Sequence, residues 1–282
     1  MDTIQFIDQN YHRYHQKGYI FSDPVFFVHQ FSHPFDQEAI ALLASLLAYG
    51  NIKQILRSIE NALSCIKKLT PQPHIFVKRL ADPVFFNAAK DEFSGFKHRF
   101  NTGEDLVLFF KLLSLSWQKY GTLGSHFTQY LDQNDNHIEH ALSQLMSDFK
   151  KWAIPFRPQS SFYFFLTSPV DGSCCKRWCM FLRWMGRKDD VDLGLWTKHG
   201  ALAHTFQKNK YLKASQLICP IDTHIGQISK KLKLTQRKNL NWKAAVEITG
   251  YFKKLKPEDP VSFDFSLSRA GILKTLGVKH DT

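Results

Sequence analysis

The chain has 282 residues, 44% of them hydrophobic and 22% charged, enough to bury a sizeable core and too apolar for a disordered chain. Thirty-seven Lys and Arg against twenty-five Asp and Glu leave a formal charge of +12, which favours a polyanionic partner, nucleic acid before an anionic membrane. No apolar run reaches the roughly 18 residues of a transmembrane helix.

The start, "MDTIQFIDQNYHRYH", lacks the charged, apolar and small-residue succession of a secretory signal. Next, "PVFFVHQF" at 24–31 is β-prone but equally able to pack as a short helix. "PFDQEAIALLASLLAYG" runs from Pro34 to Gly50; proline near the start and glycine at the end bracket a helix. It is apolar on most sides, as a central core helix would be. In "NIKQILRSIENALSCIKKL" the apolar residues Ile52, Ile55, Leu56, Ile59, Leu63 and Ile66 fall at three- and four-residue steps, with Asn51 available as the cap. The section 70–103, rich in Pro, Gly and charge, reads as an irregular connection. Further helices are predicted at about 104–119, 137–152, 160–167, 174–186, 196–206, 223–232, 241–255 and 262–276. The periodicity is helical nearly throughout, so the expected fold is all-α. Two lobes with a cleft between them are expected, one from about 34–150, the other from 1–33 with 151–282.

The five cysteines, an odd number with Cys174 and Cys175 adjacent, make a poor disulfide framework and suggest a reducing cytoplasm. Cys175 and Cys179 would share a helix face as small core residues. The pairs His12 with His15 and His137 with His140 lack a third ligand nearby in sequence, so no metal is expected from them. Asp189, Asp190 and Asp192 cluster in "RKDDVDLG"; they could hold magnesium, or simply end one helix and cap the next turn.

Two stretches carry candidate chemistry. "SPVDGSCCKRWCMFLRWMGRKDD", 168–190, reads as a tight turn opening a helix. Such a corner exposes backbone N–H groups where a phosphate can bind. "ICPIDTHIGQISKKL", 218–232, leads an apolar run into Asp222, which opens a helix. An aspartate there caps the helix, and its carboxylate stands at the helix mouth.

Together these stretches resemble the helix-hairpin-helix DNA glycosylases, relatives of endonuclease III and of the archaeal 8-oxoguanine glycosylases. The family hairpin reads approximately L-P-G-x-G-x-K-T-A and is followed later by V-D-T-H. Here Gly172 precedes Lys176 at the family's offset, and Ile221, Asp222, Thr223 and His224 match the second motif. "SGFKHRF", 94–100, is similar to a G-[FY]-x-x-R segment of the oxidised-guanine branch. The departures are Cys174 at the second hairpin glycine, a wider separation of Lys176 from Asp222, and no C-terminal four-cysteine iron–sulfur motif. The chain also resembles an uncharacterised bacterial family whose pattern runs through "RFNTGEDL", "FLRWMGRKDDVDLGLW" and "PIDTH".

The resemblance implies a two-lobed, helix-hairpin-helix glycosylase-like fold that binds double-stranded DNA and excises a damaged base, an oxidised purine being the expected target, with lyase activity as a possible second step. Lys176 and Asp222 would be catalytic. Gly172, Ser173, Arg177, His224 and Lys230 would contact DNA, and Phe96, Arg99 and Trp178 would form the base pocket. A carboxylate beneath the sugar stabilises the positive charge that builds there. A neutral lysine amine can attack the anomeric carbon. A basic cleft would admit a flipped nucleotide. No cofactor is expected, and the location would be cytoplasmic, at the nucleoid in a bacterium. The rival expectations are a non-catalytic nucleic-acid-binding helical protein and a metal-dependent nuclease.

Overall fold

The structure, a computed structural model, describes residues 3–275, with the side chains of 272–275 left aside. Helices α1 (Thr3–Tyr14), α2 (Val25–Val28), α3 (Pro34–Leu46) and α4 (Ile52–Leu69) open the chain. Asn51 caps α4 as its sequence suggests, its side chain accepting from the Lys53 N–H at 2.9 Å. The β-prone stretch after Pro24 becomes the short helix α2 rather than a strand.

The section 70–103 is not irregular. It holds α5 (Pro73–Arg79), α6 (Pro83–Glu92) and a two-residue ladder of β1 (Lys97–His98) and β2 (Asn101–Thr102). The prolines that look like breakers sit at the first helical position, where the missing N–H costs nothing. A capping box on Thr102 and Asp105 then starts α7 (Gly103–Tyr120). After it come α8 (Leu123–Thr128) and α9 (Glu139–Ala153). The helix expected at 160–167 is a 3₁₀ stretch, Ser160–Leu166, followed by a second 3₁₀ turn, Pro169–Asp171. Then come α10 (Lys176–Gly186), α11 (Thr223–Lys231), α12 (Trp242–Leu255) and α13 (Asp264–Thr275).

No helix forms at 196–206; a single 3₁₀ turn, Ala203–Thr205, is all that appears. The backbone there makes tertiary bonds instead of helical ones. Trp196 N–H donates to Met185 O at 2.8 Å, and Leu212 N–H to Trp196 O at 2.9 Å. Gly200 lies so close to Gly194 and Leu195 that a Cβ would meet their carbonyl oxygens at 2.3 Å.

Helices α3 and α10 lie at the centre. Nearly every residue of each is buried, and they pack on one another. α3 also packs on α2 and α5, α7 on α5, α6, α8 and α9, while α1 and α11 both pack on α13. One apolar cluster runs from Ile7 to Leu267 through all of these helices. The described residues are thus all-α, apart from the β1–β2 ladder and one isolated bridge. No helix among them is long and apolar enough to cross a membrane.

Candidate active site

A cavity of about 520 Å³ opens where five segments meet: residues 23–24, the α3–α4 turn, α10, the approach to α11, and α13. Lys176 and Asp222 both line it. Lys176 is the first residue of α10, and its amine donates to Ala48 O, in the α3–α4 turn, at 3.1 Å. Asp222 caps α11. Its Oδ1 accepts from the Ile225 N–H at 2.7 Å, and its Oδ2 from the Ser268 hydroxyl, on α13, at 2.7 Å. The segments carrying the two residues touch directly, since the Cys174 thiol donates to Ile221 O at 3.9 Å.

The lining is balanced in charge, not basic. Lys176, Arg183 and Arg269 face Asp23, Asp222 and Asp264. Four of these six are already paired: Arg183 Nη1 meets Asp264 at 2.7 Å, and Arg269 Nη2 meets Asp23. Lys176 and Asp222 form no salt bridge among the described residues, and they are the cation and carboxylate the cavity leaves over. Burial pushes Asp264 up to about 6, its Arg183 partner pulling the other way. Arg183 also holds Asp192 at 3.1 Å, and Arg187 holds Asp192, Asp259 at 2.7 Å and Asp189 at 2.7 Å. A largely buried ionic network therefore backs the cavity.

The turn before Lys176 uses two left-handed residues, Gly172 at φ +74° and Cys175 at φ +49°. The second is a position that favours glycine. Gly172 is exposed, and a Cβ there would meet nothing within 4 Å. The Ser173 hydroxyl accepts from the Cys175 N–H at 3.1 Å, which ties the turn internally. His224 lines the cavity, packed against Gly271. Lys230 is exposed, its amine on Lys238 O at 3.0 Å.

Three expected site residues lie in the core instead. Arg177, 6% exposed, spends its guanidinium on Leu46 O at 3.3 Å, on Phe164 O and on the Phe164 ring at 3.8 Å, so it is not available to DNA. Trp178 is buried among Phe109, Phe149 and Phe181, its indole N–H on Phe165 O at 2.9 Å. Phe96 is buried against Phe93. Neither aromatic lines the cavity. Arg99 is exposed and left-handed at φ +55°, its side chain lying against Gly50 of the cavity wall.

Most residues of the other expected clusters have partners elsewhere. Asp189 holds His15 at 2.8 Å and accepts from the Val191 and Asp192 N–H groups, Asp192 lies within the ionic network, and Asp190 is exposed. These three do not form a metal cluster. His12 pairs with Asp8, and His137 with Glu139. Burial pushes the Cys175 thiol up to about 12 and that of Cys179 well above its usual value, so both are inert core residues.

A constellation absent from the sequence reading is Ser116, His126 and Asp148. Ser116 Oγ lies 3.0 Å from His126 Nδ1, and His126 Nε2 lies 3.1 Å from Asp148 Oδ2. The order resembles a hydrolase triad, but Ser116 and His126 are fully buried. The imidazole is stacked between Tyr120 at 4.1 Å and Trp152 at 5.0 Å. Burial lowers the His126 pKa despite Asp148. With no path for a substrate, this is a satisfied core network. Another residue missed at first is Glu38, the hub of α3, whose carboxylate is fully buried.

The described residues define a mostly helical protein with a charged cleft where a lysine and an aspartate lack an ionic partner. The chain belongs to the family described as "Protein of unknown function (DUF2400)", whose profile matches residues 23–273. No curated protein and no solved structure matches it.

Proposed function

We propose that this chain is a two-lobed, helix-hairpin-helix glycosylase-like DNA-repair protein that excises a damaged base, an oxidised purine by preference, with Asp222 and Lys176 beneath the sugar. One observation carries the reading. Residues distant in sequence place a lysine and a carboxylate on one cavity, and both lack an ionic partner where the neighbouring charges are paired. The volume, about 520 Å³, falls in the range of small-ligand sites and suits one extruded nucleotide. The exposed turn at Gly172 and the overall charge of +12 support contact with DNA phosphates.

In the reaction, the Lys176 amine attacks the anomeric carbon, the base departs with the glycosidic electron pair and takes the proton that the attacking nitrogen gives up, and the C1′–O4′ bond of the resulting aminal then opens, its oxygen protonated, to leave a Schiff base. Asp222 stabilises the positive charge on the sugar. The resulting Schiff base opens a route to strand cleavage. Hydrogen bonding to Ala48 O holds the amine in place.

The test is a panel of lesion-bearing duplexes, read for freed base and for nicking, with borohydride trapping of the covalent adduct. Wild-type protein is expected to release base and be trapped. Lys176→Gln keeps a donor for Ala48 O and should lose trapping; strong trapping by the variant would reject Lys176 as the nucleophile. A second reading, a non-catalytic nucleic-acid-binding protein, is favoured by the engagement of both Asp222 oxygens in structural bonds. Salt-dependent duplex binding without base release from any lesion would establish it.

A further inference from the structure

At the other end of α3, roughly 20 Å from the cavity wall by helical rise, His33, Asp36 and His74 converge. One donor atom from each lies within 4.8 Å of the others. The His33 and His74 rings are stacked, centroids 4.3 Å apart and planes 15° apart, so His33 must swing out of the stack for both nitrogens to reach one ion. From this geometry we infer a divalent transition-metal site, for Zn²⁺ first, that joins the N-terminus of α3 to that of α5.

Two details of the residues support it. His33 occupies the N-cap of α3, where Ser, Thr, Asp or Asn usually satisfies the free N–H groups, yet its ring makes no capping bond. An exposed imidazole at that place is free to turn toward a ligand. Asp36 is 4% exposed, and a carboxylate so deep needs its charge answered. Only Oδ1 is engaged, accepting from His74 N–H at 2.6 Å and lying 2.9 Å from His74 Nδ1. Oδ2 carries no hydrogen bond among the described residues. A cation between the carboxylate and the two imidazoles would complete the set.

The donors select the metal. Two imidazoles and one carboxylate suit zinc and its neighbours rather than magnesium or calcium, which take oxygen ligands. Zinc ligands at about 2.0–2.2 Å require the three atoms to draw inward, and the exposed His33 side chain can supply most of that movement. The three protein ligands leave the fourth position to water, and the site ties α5 to the helix that leads into the cavity wall.

The experiment uses the full chain, freed of any affinity tag and stripped with chelator, and titrates it with Zn²⁺ by calorimetry, with Co²⁺ absorption as the geometric readout. One Zn²⁺ per chain at micromolar Kd or tighter is expected. At zinc hundredfold above Kd, Tm should rise by about 5 °C or more. His33→Ala, at an exposed position, should fold normally and weaken binding at least tenfold. A His137→Ala/His140→Ala control should bind as wild type. Wild-type affinity weaker than about 100 µM, or unchanged tight binding in His33→Ala, overturns the site.

Discussion

Glu38 and Asp222 are both carboxylates that hold the N-terminus of a helix, in opposite surroundings. Glu38 is sealed at the centre of the molecule and reaches across to α8. Its Oε2 accepts from Leu123 N–H at 3.0 Å and Trp117 Nε1 at 2.7 Å, and its Oε1 from Gly124 N–H at 3.1 Å and Trp196 Nε1 at 2.8 Å. Burial pushes its pKa up, against the pull of those four donors. Asp222 caps the helix it precedes, with two donors, on the wall of a cavity. The first carboxylate has every lone-pair direction committed and no opening, so it organises the fold. The second accepts one donor on each oxygen and so keeps acceptor capacity, on the wall of a cavity, which is what a site residue needs.

The largest effect that would break this contrast is on Glu38. Glu38→Ala leaves two indole and two backbone N–H groups buried without an acceptor. At about 1–3 kcal/mol each, the loss should be about 5 kcal/mol, read by urea denaturation; a loss under about 1 kcal/mol would mean that water or a rearranged core replaces the carboxylate. Asp222 should behave in reverse. Asparagine caps a helix as well as aspartate does, so Asp222→Asn should shift stability by less than about 0.5 kcal/mol. Base release should nonetheless fall about 10²–10³-fold, as when a transition-state charge loses its stabiliser. Unimpaired release by this variant would reduce Asp222 to a cap.

The smallest effect sharpens the view of the network behind the cavity. Burial raises Asp264 to about 6 in the folded protein, against about 3.9 in the unfolded chain. The folded state therefore binds the extra proton between those values. The stability this contributes is complete below about pH 3.9 and is lost as pH rises through about 6. Asp264→Asn should flatten that fall in denaturation midpoints measured from pH 4 to 6. An unchanged slope would assign the titration to another group.

Much of the fold was legible because helices announce themselves locally. The three- and four-residue steps of Ile52 to Ile66, the Asn51 cap and the Pro34 start each rest on neighbours a turn away. Segment 70–103 looks irregular in sequence because Pro73 and Pro83 have the appearance of interruptions, whereas each starts a helix. Segment 196–206 misleads in the other direction. Its apolar residues Trp196 and Leu202 are buried in the core, and Trp196 reaches Glu38, without helical bonding. α1 also carries a local signal, its buried Ile7 and Tyr14 lying seven residues apart, two turns on one face.

The candidate site divides the same way. Asp222 as a helix cap, the turn before Lys176 and the core thiols of Cys175 and Cys179 follow from adjacent residues, and the sequence alone determined them. Which aromatic or basic residues face the cavity depends on the packing of α3 against α10, and only the tertiary structure decided it. That packing sent Arg177, Trp178 and Phe96 inward, paired Arg183 with Asp264 and Arg269 with Asp23, and left Lys176 and Asp222 over. The physical reason is range: caps and helical periods act within a few residues, whereas burial and charge pairing are settled by groups that meet only once the chain has closed on itself.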